Sequence, residues 1–448
     1  MNAWRLSRIL ILVIVALISD SCNSSQQINK NSLLYWTSNN GGEIKFAQWA
    51  VQRWNNIPGV EQVHFQPIPE GQSSEEILLA AVVAGTTPDI YSNIWQGLVE
   101  FYCSSNILVA LDTLEGFNEF IHQRCDSTTI MEITSSNGHI YQVPWKMNPF
   151  MTIYNKAVLE ELDLDSFPSN YSDYLIAASK YKKDTNGDGH ADQWFGNTSM
   201  KLAWYQRLFN FYPLYLAASG GMPMIKDGKA HFNNQYAVGV MQFLQQLYKE
   251  NYFSRQVESA GQDLFIAERY ASKWTGPWEI EYLEKFQRKG FEYEFCPMPV
   301  PDDHKGPKYT YCDPKSFVIF NTCKQPQAAL DFIMKMLDEE GDFEFLKTTN
   351  QLPRRKGLDT LASFQKYFKE NPKMASFSSQ AKFVRGSDIS ESMIEVFDII
   401  SQEYEACVIY QKKSPQQAID DAEDAVNVLL QSESINKSKR KIAQNLKK

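Results

Sequence analysis

Histidine is scarce in this chain, with six residues in 448. None of the seven cysteines forms a C-x-x-C pair. A zinc finger and a thioredoxin-like redox centre are therefore excluded. There is no Gly-x-Ser-x-Gly elbow to carry a hydrolase nucleophile. No internal repeat is visible, which argues against a solenoid or propeller. Basic residues are outnumbered, 44 Lys and Arg against 53 Asp and Glu, for a formal net charge of -9. A dispersed acidic surface of this kind argues against nucleic acid as the partner. The chain is rich in apolar residues (43%) and aromatics (13%), enough for two lobes with sizeable cores.

The N-terminus reads as an address. Arg5 and Arg8 precede the ten-residue apolar run "ILILVIVALI", from Ile9 to Ile18. Ten helical residues at a 1.5 Å rise are too short for a bilayer core of about 30 Å. A basic flank with a short apolar core is a secretion signal, here residues 1–21. The following "SDSC" resembles the lipobox of bacterial lipoproteins and points to Cys22 as the lipidated first residue of the mature protein. Residues 22–31 then read as a lipidated cysteine and a polar tether. The alternative is an ordinary cleaved signal beside a chance cysteine. The six remaining cysteines, Cys103, Cys125, Cys296, Cys312, Cys323 and Cys407, allow disulfides outside the cytoplasm or buried free thiols. The sequence does not choose between these.

The mature chain alternates strand and helix patterns. "SLLYW" ends an apolar run at Trp36. "IKFAQWAVQRWNN" then places Phe46, Ala47, Ala50, Val51 and Trp54 at helical spacing. "EQVHFQPI" alternates like a strand. "SSEEILLAAVVAG" has Ser at its start, Glu in its first turn and Gly85 at its end, as a capped helix does. The pattern predicts α/β lobes with largely parallel sheets. Past residue 338 it becomes mostly helical. The end, 434–448, is a basic tail expected to be frayed and solvated.

The order of motifs resembles the extracellular solute-binding proteins of sugar ABC importers, the family that includes maltose-binding protein. The resemblance rests on "AGTTPDIYSN", "NILVALDTLEG", "NGHIYQVPWKMNPFMTIYNKAVLEE", "ASGGMPMIKDGK", "FIAERYASKWTGPWEIEYL", "QLPRRKG" and "SPQQAIDDAEDAVNVLL", in that order over nearly all of the mature chain. Departures are Glu268 where the family commonly has Gly, Ser272 where it has Met, and "VRGSDISESM", which lacks an aromatic that some members stack on sugar. The resemblance implies a two-lobe periplasmic-binding-protein-like α/β fold with hinge crossings and a ligand cleft between the lobes. The first lobe is expected at 32–148 plus 292–338 and the second at 149–291 plus 339–433. It further implies a monomer outside the cytoplasm, anchored to a bacterial membrane by lipid, that passes a carbohydrate to ABC permease subunits.

Sugars offer apolar CH faces to flat rings and hydroxyls to planar polar groups. Loops at the expected strand ends supply both. The ligand candidates are Asn39, Asn40, Asn93, Trp95, Gln96, Trp145, Asn148, Trp278, Glu279 and Arg354. The resemblance assigns sugar stacking to Trp278; each of the others has core packing or a solvated loop as its alternative. The rival functions are a secreted glycoside hydrolase or lyase, and a lipoprotein that presents ligand to a membrane sensor. One further stretch, "KKDTNGDGHADQWFG", sets Asp184, Asn186, Asp188, His190 and Asp192 at calcium-loop positions. Its twelfth position is Phe195, so the bidentate Glu of a regulatory EF-hand is missing. A structural Ca²⁺ clip and a metal-free turn are the two readings.

Overall fold

The computed structural model describes residues 32–68, 74–256 and 263–445. The expected signal, Cys22 and the tether lie outside the described residues. Nine strands build two main sheets and are numbered here in chain order. The first sheet holds β1 (Leu33–Thr37), β2 (Val63–Pro67), β3 (Ile90–Trp95), β4 (Val143–Met147), β8 (Lys315–Ile319) and β9 (Leu352–Pro353). Their order is β9-β4-β8-β3-β1-β2. The second sheet holds β5 (Met151–Asn155) between β6 (Ser272–Thr275) and β7 (Tyr293–Cys296).

The sheets are less parallel than expected. β1 runs parallel to β2 and β3, each reached by a helical crossover. β8 arrives from the hinge instead. It starts at Lys315 opposite Trp95, the last residue of β3, and so runs antiparallel to β3 and β4. Both pairings of β5 are antiparallel as well.

Pairing also moves the lobe limits. β7 joins the second lobe's sheet, past the expected edge at 291. Helix Glu339–Thr349 packs on helix Gly41–Asn55, and β9 pairs with β4, so both belong to the first lobe. Return to the second lobe comes only after Pro353. The hinge is laced by backbone bonds: Phe150 N–H donates to the Tyr311 carbonyl (2.8 Å) and Cys312 N–H to that of Arg385 (3.1 Å).

Local sequence explains the main elements. Asn40 caps helix Gly41–Asn55, its Oδ1 accepting from Gly42 N–H at 2.9 Å and Glu43 N–H at 3.1 Å. That helix buries Phe46, Ala47, Ala50, Val51 and Trp54, the residues its spacing selected. Glu268, where a Gly is common in the family resembled, has φ +57°. The left-handed conformation is kept without the residue that favours it, at a cost of about 1 kcal/mol. Ser272 is fully buried and donates to the Phe195 carbonyl at 2.7 Å. The six cysteines from Cys103 onward are all free thiols. The basic tail departs from expectation in its described part, where helix Pro415–Asn445 continues. Lys437 sits 2.9 Å from Glu433 and 3.7 Å from Glu100 of the first lobe.

Candidate ligand-binding site

A cavity of about 490 Å³ opens on the second lobe beside the hinge. Aromatic rings dominate it: Phe150, Phe209, Trp274 and Trp278. Phe150 and Phe209 stack at 5.0 Å with an 8° tilt, and Trp278 lies 5.6 Å from Phe150. Trp278 opens helix Trp278–Phe286 directly after Pro277. Its ring folds back over Gly276, where a Cβ would lie 2.3 Å from the ring. The "GPW" sequence is therefore a steric requirement, since only glycine lets the indole lie flat against the backbone there.

Between the rings lie amides and hydroxyls, among them Asn197, Thr198, Gln206, Asn210 and Gln256. Thr198 is held from behind, its Oγ1 2.8 Å from the Tyr248 hydroxyl and 2.9 Å from that of Tyr404. Among the described lining residues Glu279 is the one carboxylate. It is buried and already engaged: Lys273 Nζ donates to Oε1 at 3.0 Å and Thr275 Oγ1 to Oε2 at 3.0 Å. Burial works against the Lys273 ammonium, but Glu279 and Asp263 outweigh it and hold its pKa above the ordinary lysine value. The pair is thus a fixed, neutralised fork at the cavity wall. Flat apolar faces alternating with oriented polar groups suit a polyhydroxylated ligand.

Of the ten ligand candidates, the structure brings Trp278 and Glu279 to this cavity. The other eight do not line it. Trp145 is buried in the first lobe's core, 4.6 Å from Phe345 and 5.1 Å from Phe317. Its Nε1–H donates to the Ser92 carbonyl at 2.6 Å. Trp95 is equally buried and donates to the Tyr311 hydroxyl at 2.9 Å. Gln96 donates to the Glu132 carbonyl at 2.9 Å. Asn148 is buried at the hinge, where its Nδ2 donates to Gln351 Oε1 at 2.8 Å. Arg354 pairs with Glu132 at 2.7 Å, in a different cavity. Asn40 is the helix cap described above. Asn39 is exposed and Asn93 half-buried on the first lobe.

Sequence reasoning missed Phe150, Phe209 and Asn210. Phe150 ends the quoted "VPWKMNPF" and was passed over for Trp145. Phe209 and Asn210 sit in "WYQRLFNFY", whose aromatic density was the available signal.

The Asp-rich loop folds on itself. Asp184 accepts N–H from Gly187 and Gly189, both at 2.7 Å. Asn186 accepts from Asp188 N–H (2.9 Å), Asp188 from His190 N–H (2.8 Å), and Asp192 from the Thr185 hydroxyl (2.7 Å). These are Asx turns. Among the described residues no three acidic, imidazole or thiol groups converge as metal ligands.

Comparison with known proteins decides the family. Residues 55–376 match the family model for bacterial extracellular solute-binding proteins. The chain belongs to that family. It is a binding protein, not an enzyme. The sn-glycerol-3-phosphate-binding periplasmic protein UgpB of Escherichia coli (strain K12) is 24% identical over 430 residues, covering 88% of this chain and 92% of its own. Two solved structures share the two-lobe fold. The cyclic alpha-maltosyl-1,6-maltose binding protein from Arthrobacter globiformis has a TM-score of 0.75 at 19% identity, covering 90% of this chain and 99% of its own. The sugar-binding protein MalE from Xanthomonas citri has a TM-score of 0.71 at 17% identity, covering 90% and 98%.

Proposed function

We propose that this solute-binding protein captures a mono- or oligosaccharide outside the cytoplasm, does not alter it, and delivers it to the permease of an ABC importer. The observation that carries this reading is the cavity around Trp278. Four aromatic rings and a set of amides and hydroxyls surround one carboxylate already neutralised by lysine. That array binds sugar hydroxyls without offering the two opposed carboxylates that hydrolysis uses. The sugar ligands named for the fold neighbours point the same way. In this reading the protein is a monomer held at the membrane by lipid on Cys22, and closure of the first lobe over the cavity is what the permease reads.

A ligand screen by thermal shift tests it, with product analysis on the same samples. A glycan at 100 times its Kd should add about 2.7 kcal/mol of stability and be recovered intact. Binding of sn-glycerol 3-phosphate with no response to any glycan would overturn the saccharide assignment. Co-purification with a sensor kinase in place of a permease would overturn the importer assignment. Calcium at the Asp184–Asp192 loop belongs to the same reading as a stabilising clip, one that would have to displace the N–H bonds now made to Asp184.

A further inference from the structure

A second cavity, of about 340 Å³, shares no lining residue with the one around Trp278. One wall comes from the first lobe, through helix Ser127–Ile133 and the stretch after β9. The other comes from the second lobe and hinge, through Ser378, Lys382 and Arg385. Five cations line it, Arg354, Arg355, Lys356, Lys382 and Arg385, against three carboxylates, Asp126, Glu132 and Asp359. In a chain of net charge -9 this is a local reversal of sign.

The carboxylates are already committed. Asp126 caps its helix, accepting from Thr129 N–H at 2.7 Å. Glu132 lies between Arg354 at 2.7 Å and Arg385 at 3.2 Å. Asp359 meets Lys382 at 2.8 Å. Behind the wall, Arg355 shares the buried Asp342 carboxylate with Arg124, so two guanidinium groups face one acid. Arg355 Nε is buried and has no acceptor among the described residues. The excess positive charge therefore sits in a recessed pocket, where field lines concentrate and guanidinium forks match the oxygens of a tetrahedral oxyanion.

We propose that this cavity binds an oxyanion of the phosphate class, as the free ion or as the phosphoryl group of a small ester, through Arg355, Lys356, Lys382 and Arg385. The bound oxyanion bridges the two lobes at a point apart from the saccharide cavity. The proposal does not rest on the saccharide reading.

Calorimetric titration of the purified protein with inorganic phosphate, at ionic strength held constant with NaCl, tests it. The parent should show saturable one-to-one binding. Lys382→Gln with Arg385→Gln should weaken it at least roughly tenfold, the loss of charge-assisted hydrogen bonds. Lys382 is exposed, whereas Arg385 pairs with the mostly buried Glu132, so circular dichroism checks that the variant is folded and Lys382→Gln alone repeats the test. Arg355→Gln, on the other wall, should weaken binding independently. Trp278→Ala should leave it unchanged. Methyl phosphate in a parallel titration separates the sources: the tighter of the two ligands is the form recognised. Absence of saturable heat at this constant ionic strength would mean screening only and would overturn the site. So would an unchanged affinity in both arginine variants, or loss of binding in Trp278→Ala.

Discussion

Trp145 and Trp278 have the same side chain and flank the same hinge, yet one is core and the other lines a cavity. Trp145 lies on β4, a strand buried on both faces, and its ring is enclosed by Phe46, Phe317 and Phe345. Trp278 opens a helix, and its ring lies over a glycine toward open space. Nearness to the hinge along the chain did not decide between them. A strand covered on both faces has no side from which a ring can reach ligand, whereas the first residue of a helix projects past the end of its strand. The carboxylates repeat the contrast. Asp388 is recessed between elements and accepts two backbone N–H bonds, from Met224 at 2.7 Å and Ile225 at 3.0 Å. Asp184 accepts comparable bonds on an exposed loop.

The strongest test of the contrast is Trp145→Ala, which should cost about 3–5 kcal/mol of folding stability. Chemical denaturation measures it, and a cost near zero would remove Trp145 from the core. Trp278→Ala should leave the melting curve nearly unchanged and weaken saccharide binding by about 1–3 kcal/mol, as for other ring-stacking contacts. Should it unfold the protein instead, the distinction between the two tryptophans collapses.

Next comes Asp388. Burial, partly offset by the two N–H bonds and Arg385, pushes its carboxyl up to about 6. The folded state thus favours the protonated form more than the unfolded state does, where the pKa is near 3.9. Its contribution to stability is fully present below that value and is lost as pH rises through 6. Asp388→Asn should flatten this part of the stability–pH curve between about pH 4 and 6, because an amide oxygen still accepts both N–H bonds. A slope identical to that of the parent would assign the titration elsewhere.

The smallest effect concerns the exposed carboxylates. If calcium binds, it should raise the melting temperature modestly without altering saccharide affinity, and Asp184→Ala with Asp188→Ala should abolish that rise. No calcium response in the parent would leave the loop as the hydrogen-bonded turn seen here.

By itself the sequence determined the two-lobe α/β class, the amphipathic helix Gly41–Asn55 with its buried face, and the solute-binding family. These follow from local periodicity and from motif order, which are properties of neighbouring residues. Tertiary structure alone decided which lobe holds β7 and β9, since strand partners lie more than a hundred residues apart. It also decided that Trp95, Trp145 and Asn148 are buried, that Phe150 and Phe209 stack beside Trp278, and that cations from both lobes surround a second cavity. Each of these depends on what packs against a side chain from a distant part of the chain, and a periodic pattern carries no record of that neighbour.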